Sequence, residues 1–221
     1  AGRRPGAAGL PPRRRPRTSP GGRTPDATDV RPDALERGAW PVRTARLTLR
    51  RARPDDADAL FAYRGLPEVD RWLTQRFTTV EEWREHHVEP GRLATTLVVE
   101  REGAVVGDLY LAVRDGWAQR DVVDRPHDDE AEIGWVLDPA HQGQGYATEA
   151  VRALLRVCFE DLGLRRVVAS AFLANEPSWR LMERVGMRRE GVGVRDSLHR
   201  DLGWVDGVVY ALLADETRAG A

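Results

Sequence analysis

Between an apolar run at residues 131–137 and an amphipathic pattern from 146 to 162 stands the hexapeptide Gln142-Gly143-Gln144-Gly145-Tyr146-Ala147. A two-glycine turn here ends a strand and starts a helix at once, and the first turn of a helix has N–H groups without partners. Aimed at one spot and reinforced by the helix dipole, they form a seat for a phosphate. Glycine also suits any strand-to-helix turn, so the two glycines alone leave both readings open.

Composition narrows the anion. Thr148 occupies the place of the third glycine of a dinucleotide fingerprint. All 34 basic residues are arginine, which removes the lysine of a Walker-type phosphate loop and any Schiff-base lysine. The single cysteine, Cys158, lies on a helical apolar stripe and is expected in the core. No apolar run approaches the roughly 20 residues of a membrane span. Arg13-Arg14-Arg15 is followed by Pro, Ser and Gly rather than an apolar stretch, so a cytoplasmic protein is expected.

The net charge of −1 hides an asymmetry. Residues 1–25 hold seven arginines and no acid; the rest carries 27 arginines against 35 acids. Residues 1–40 are rich in Pro, Gly and Arg and read as a disordered basic tail. Nucleic-acid contact by this tail is not the favoured reading. The acidic remainder suits a cationic ligand better than a polyanion. Residues 41–216 read as one domain, with a short C-terminal tail at 217–221.

Along that domain, residues 46–50 alternate like a half-buried strand. Pro54-Asp55-Asp56 opens a helix, and Thr79-x-x-Glu82 is a capping box for another that carries Trp83. Residues 96–101 and 104–113 form a hairpin around Glu102-Gly103, followed by a long polar loop at 115–130 and the strand at 131–137. After the helix at 146–162, capped by Gly163, come a strand at 166–172 and a helix with Asn175 as N-cap and Gly186 past its end. Strands near 187–195 and 204–213 bracket a final polar loop.

The turn and this order resemble a known family. Gln-x-x-Gly-x-Ala is similar to the acyl-coenzyme A pyrophosphate signature, Arg/Gln-x-x-Gly-x-Gly/Ala, of the GCN5-related N-acetyltransferase (GNAT) superfamily. Thr44-Ala-Arg-Leu-Thr-Leu-Arg50 with Asp55-Asp56-Ala57 resembles its N-terminal signature. Asn175-x-x-Ser178-x-x-Leu181-Met182-Glu183-x-x-Gly186-Met187 resembles its last helix, and Glu190-Gly191, Trp204-Val-Asp206 and Tyr210-Ala-Leu-Leu213 resemble the end of the RimJ/RimL-type branch. The resemblance implies an α+β, three-layer acyl-CoA N-acyltransferase fold: a mixed, mostly antiparallel sheet of six or seven strands flanked by about four helices. It implies acetyl-CoA as cosubstrate, without a metal, and a primary amine as acceptor: a protein N-terminus or a small cationic amine. A homodimer is compatible with it.

An ammonium must lose its proton before it attacks a thioester, and the developing oxyanion needs fixed donors. By the resemblance, pantetheine pairs with the backbone of Trp135, Val136 and Leu137, with the N–H of Val136 or Leu137 foremost for the thioester carbonyl. The backbone of Gln142, Gly143, Gln144, Gly145, Tyr146 and Ala147 cradles the pyrophosphate. Glu132 stands where many relatives carry the base; the bland alternative is an edge glutamate oriented by strand alternation. Met182 replaces the tyrosine that protonates the leaving thiolate in many relatives. Ser178, one turn earlier, is the candidate donor, or else a helix-start serine satisfying backbone groups. Asn175 serves the cofactor, the helix cap, or both.

Weaker signals read as structural. His86-His87, on adjacent helix positions, and His127-Asp128-Asp129-Glu130 read as solvated rather than metal-binding. Trp72 and Trp83 read as core, and Tyr210 as a lesser candidate hydroxyl near the acceptor. The expected activity is acetyl transfer by direct attack in a ternary complex. A non-catalytic acyl-CoA-binding module and a succinyl-type acyltransferase are the alternatives.

Overall fold

The computed structural model describes residue 31, residues 33–119, residue 121 and residues 129–217. Tail residues 1–30 and the loop residues Asp124, His127 and Asp128 lie outside the described residues, as do residues 218–221. Among the described residues eight strands form one sheet: β1 (Val42–Arg43), β2 (Thr48–Arg51), β3 (Thr96–Arg101), β4 (Ala104–Arg114), β5 (Glu130–Leu137), β6 (Arg166–Phe172), β7 (Arg188–His199) and β8 (Gly203–Leu213), in the order β1-β2-β3-β4-β5-β6-β8-β7. Every neighbouring pair is antiparallel except β5 and β6, which run parallel.

Seven short α-helices among the described residues accompany the sheet: α1 (Ala34–Arg37), α2 (Ala57–Arg64), α3 (Pro67–Asp70), α4 (Val80–His87), α5 (Pro90–Leu93), α6 (Tyr146–Arg156) and α7 (Glu176–Arg184). Strand alternation sends Leu97, Leu109, Leu111, Ile133, Val167 and Tyr210 to one face. There they join Val151, Leu154 and Cys158 from the α6 segment and Leu181 and Met182 from α7 in the main core. The opposite face carries a smaller core, in which Leu60 and Tyr63 of α2 and Trp83 of α4 cover Val98. The amphipathic stripe that begins in α6 continues through a π-turn at Val157–Asp161, and Gly163 closes it with φ +68.

Among the described residues the sheet has eight strands rather than six or seven and is accompanied by seven α-helices rather than about four, and three further expectations change. Residue 31 and residues 33–40 are not tail: Leu35 of α1 is fully buried, Trp40 Nε1 donates to the Leu35 carbonyl at 2.8 Å, and Arg31 N donates to Val113 O at 3.0 Å. One apolar anchor inside a Pro/Gly/Arg-rich stretch is invisible to its average composition. His87 is not solvated; it is buried one helical turn beyond Trp83, stacked on that ring, with Nε2–H donating to Arg53 O at 2.8 Å. The final polar loop is instead strand: β7 runs on to His199, and Arg200 reaches back to pair with Asp70 at 3.0 Å.

Candidate active site

The parallel ladder between β5 and β6 is short. Only Glu130, Ala131 and Glu132 pair with Arg166, Val167 and Val168, although β5 continues to Leu137 and β6 to Phe172. Beyond Glu132 the strands part, and one edge of each faces a gap that opens toward the glycine turn.

Ladder parity decides which β5 amides face that gap. Asp138 N donates to Val106 O at 3.0 Å, in register with the pairing of Val136 with Asp108. In an antiparallel ladder alternate residues point the same way, so the Val136 N–H belongs to the ladder with β4. Trp135 and Leu137 point to the β6 side, as does the Asp129 carbonyl, which accepts from Arg166 N at 3.1 Å. Val136 is therefore corrected as an oxyanion donor: its N–H is committed to β4, whereas those of Trp135 and Leu137 are available.

At the wide end of the gap, Gly143 and Gly145 hold φ of +73 and +80, a left-handed backbone that a side chain strains. The N–H groups of residues 143–147 have no acceptor among the described residues, which is the arrangement an anion fits. Gln142 differs: its N–H donates to Pro139 O at 3.2 Å, and its side-chain amide to Leu137 O at 3.3 Å. It closes the turn instead of contributing an amide to the cradle.

A clamp that the sequence did not disclose holds the turn from behind. Glu149, in the first turn of α6, accepts from Thr44 Oγ1 at 2.6 Å, Arg46 N at 2.9 Å and Arg46 Nε at 2.7 Å. Arg46 also donates to Gln144 O at 2.9 Å and lies over the Tyr146 ring at 4.5 Å. Burial opposes ionisation of Glu149, but the bonds from Thr44 and Arg46 outweigh it and hold its pKa below the ordinary value. Its one signal in the sequence was the carboxylate in the first turn of a helix.

Glu132 sits where the ladder stops, on the face covered by α2 and α4. Burial pushes its pKa up; Arg114, at 3.8 Å, pulls partly the other way, and the Glu130 charge adds to the rise. A carboxylate raised toward neutrality is a better proton acceptor than an exposed one. Asn175 takes the N-cap position of α7 but makes no side-chain cap bond, so its half-buried amide is available. The Ser178 hydroxyl likewise has no hydrogen-bond partner among the described residues, which removes the backbone-satisfying role considered for it. Met182 is fully buried, and Tyr210 is committed, donating to Glu183 at 2.8 Å and accepting from Arg189 at 2.7 Å. Burial pushes the Cys158 thiol up to about 12, leaving no nucleophile there.

A sheet that parts beside a glycine turn with unpartnered N–H groups, with a half-buried carboxylate at the fork, is an arrangement suited to acyl-group transfer. Residues 46–188 match the acetyltransferase (GNAT) domain, and the chain belongs to this family. It is 30% identical over 174 residues to the uncharacterized N-acetyltransferase p20 of Bacillus licheniformis, covering 78% of this chain and 96% of that protein. YnaD, an uncharacterized N-acetyltransferase of Bacillus subtilis, is 41% identical over 85 residues, 38% of this chain and 49% of YnaD. The solved structure of Mycobacterium smegmatis RimJ in complex with CoA-disulfide matches with a TM-score of 0.62 at 26% identity, covering 77% of this chain and 83% of that one. No helix among the described residues is long and apolar enough to cross a membrane.

Proposed function

We propose that this acetyltransferase transfers an acetyl group from acetyl-CoA to a primary amine by direct attack, with both substrates bound together. The observation that carries the reading is the early end of the β5–β6 ladder, which leaves the Trp135 and Leu137 amides facing a gap that leads to the turn at residues 143–147. Acetyl-CoA supplies the activated thioester. The free N–H groups of Gly143, Gln144, Gly145, Tyr146 and Ala147 fit its pyrophosphate, and Asn175 and Leu137 fit the amides of its pantetheine arm.

The Trp135 N–H then polarises the thioester carbonyl as a fixed donor. Glu132 removes the proton from the attacking ammonium, directly or through one water; its pKa, raised by burial, makes it a stronger base than an exposed carboxylate. Ser178 donates to the departing sulfur, whose thiolate is tolerably stable by itself, at a pKa of about 8.5. No covalent acyl-enzyme is required.

A thiol-release assay with acetyl-CoA and a panel of primary amines tests this directly. Amine-dependent release of coenzyme A and mass-detected N-acetylation are expected. Tight coenzyme A binding without turnover on any amine would instead identify a non-catalytic binding module. Faster turnover with succinyl-CoA would replace the acyl group.

A further inference from the structure

Asp108 of β4 is the buried anchor of the α2–α5 side. It accepts from Tyr63 Oη at 2.6 Å and from Arg64 Nη1 at 2.8 and 2.6 Å, so the Arg64 charge already matches it. A second cation enters the same space. The carbonyl of Arg92 in α5 accepts from the Thr96 hydroxyl at 2.7 Å, and Thr96 lies opposite Tyr110 in the β3–β4 ladder. The Arg92 guanidinium makes no ion pair and no hydrogen bond among the described residues, and its Nε is fully buried without a partner. It lies 5.6 Å from the centroid of Trp83, a ring it shares with Arg64 at 5.0 Å.

The Asp108 charge reaches Arg92 but is already matched by Arg64, so this half-buried guanidinium is the excess cation of the group, and contact with a shared aromatic face satisfies none of its five N–H donors. Such a group marks the seat of an anion that the protein itself does not supply. The seat adjoins the fork. Tyr110 pairs with Gly134, two residues beyond Glu132 on β5, and strand alternation puts Tyr110 and Glu132 on the same face of the sheet. Two strand spacings, about 10 Å, separate β3 from β5, and Tyr110 stands on the strand between them. The Tyr110 hydroxyl is also without a hydrogen-bond partner among the described residues. Burial raises its pKa, Glu132 adds to the rise, and Arg92 and Arg114 oppose it, as expected for a ring placed between those charges.

We infer that the acceptor amine carries a carboxylate, which the Arg92 guanidinium receives with help from the Tyr110 hydroxyl while Glu132 faces the amine. This rests on the acetyltransferase reading of the fork and narrows its acceptor to amino acids or peptides bearing an acid close to the amine. Arg92 is then a specificity-determining residue. A small cationic amine fits poorly beside it, because like charges would meet in a half-buried site.

The test compares acceptors that differ only in the charge: L-phenylalanine with L-phenylalaninamide, and the dipeptide amides Ala-Asp-NH2 with Ala-Asn-NH2. Losing a bond to a buried charge is expected to lower kcat/KM about tenfold or more for one pair. The pair that responds separates a free amino acid from a peptide N-terminus as the source. In Arg92→Gln the ratio within that pair should collapse toward one, and Arg92→Lys should keep part of it; a ratio is independent of how much of the variant folds. Equal rates within both pairs in the wild type, with turnover present, overturn this inference and leave the acetyltransferase reading intact. If no amine is acetylated, that reading fails first. Binding of N-acetyl-L-phenylalanine against its amide then decides the Arg92 seat by itself, and equal affinity overturns it.

Discussion

Replacing Glu149 by alanine should loosen the glycine turn proposed to seat the pyrophosphate without touching the fork. The substitution removes acceptors for Thr44 Oγ1 and for the main-chain and side-chain nitrogens of Arg46. Bonds to an ionised acceptor contribute about 1.5–3 kcal/mol each where water is excluded. Here the Arg46 side chain is 45% exposed and its pair with Glu149 is screened, so that part contributes under about 1 kcal/mol. The Thr44 hydroxyl retains a weaker bond to Leu47 O at 3.3 Å. A loss of about 2 kcal/mol follows, or roughly 4–8 °C in Tm for a domain of this size. The pKa of Glu149 is depressed in the folded state, so its contribution is present above the unfolded carboxylate value of 4.5 and lost as pH falls through the folded one. Thermal unfolding of wild type and variant should therefore differ at pH 7 and converge toward pH 3. Without Arg46 bracing Gln144 O, KM for acetyl-CoA should rise about fivefold, roughly 1 kcal/mol, while KM for the amine stays constant. A Tm gap that persists unchanged at pH 3, or an amine KM that moves with the acetyl-CoA KM, would refute the clamp.

Other outcomes follow from the fork. Glu132→Gln should lower kcat by about 10²–10⁴-fold and abolish the acidic limb of the pH–rate profile. Because the folded pKa of Glu132 is raised, its favourable contribution exists below the unfolded pKa and disappears as pH climbs through the folded one. The same variant should therefore be more stable than wild type above that window, as chemical denaturation at pH 5 and pH 8 would reveal. Ser178→Ala should reduce kcat by about tenfold with little change in either KM, and the deficit should shrink above pH 8.5, about where the thiol ionises unaided. Iodoacetamide at pH 8 should leave Cys158 unmodified and the activity intact; rapid alkylation with inactivation would revive a covalent route.

The glycine turn was legible because positive φ at Gly143 and Gly145 restricts residue choice locally. The helix behind it was legible because its buried face repeats every three to four residues. The fork was not, since the end of a ladder depends on how two strands 36 residues apart align. The same limit misassigned Val136: neighbouring residues differ only in the direction of their N–H, and register decides that direction. The Thr44–Arg46–Glu149 clamp and the Arg92 seat join segments far apart in sequence, so no local pattern announces them. His87 misled because a histidine one turn from a tryptophan reads equally well as surface or core.

Amide resonances recorded while coenzyme A is added test the proposed cofactor site most directly. The N–H signals of Trp135, Leu137 and residues 143–147 should shift and gain protection from hydrogen exchange, while Val136, already bonded to β4, keeps its exchange rate. Shifts confined to residues outside the fork and the turn would contradict the placement of the cofactor, and with it the roles drawn for Glu132 and Ser178.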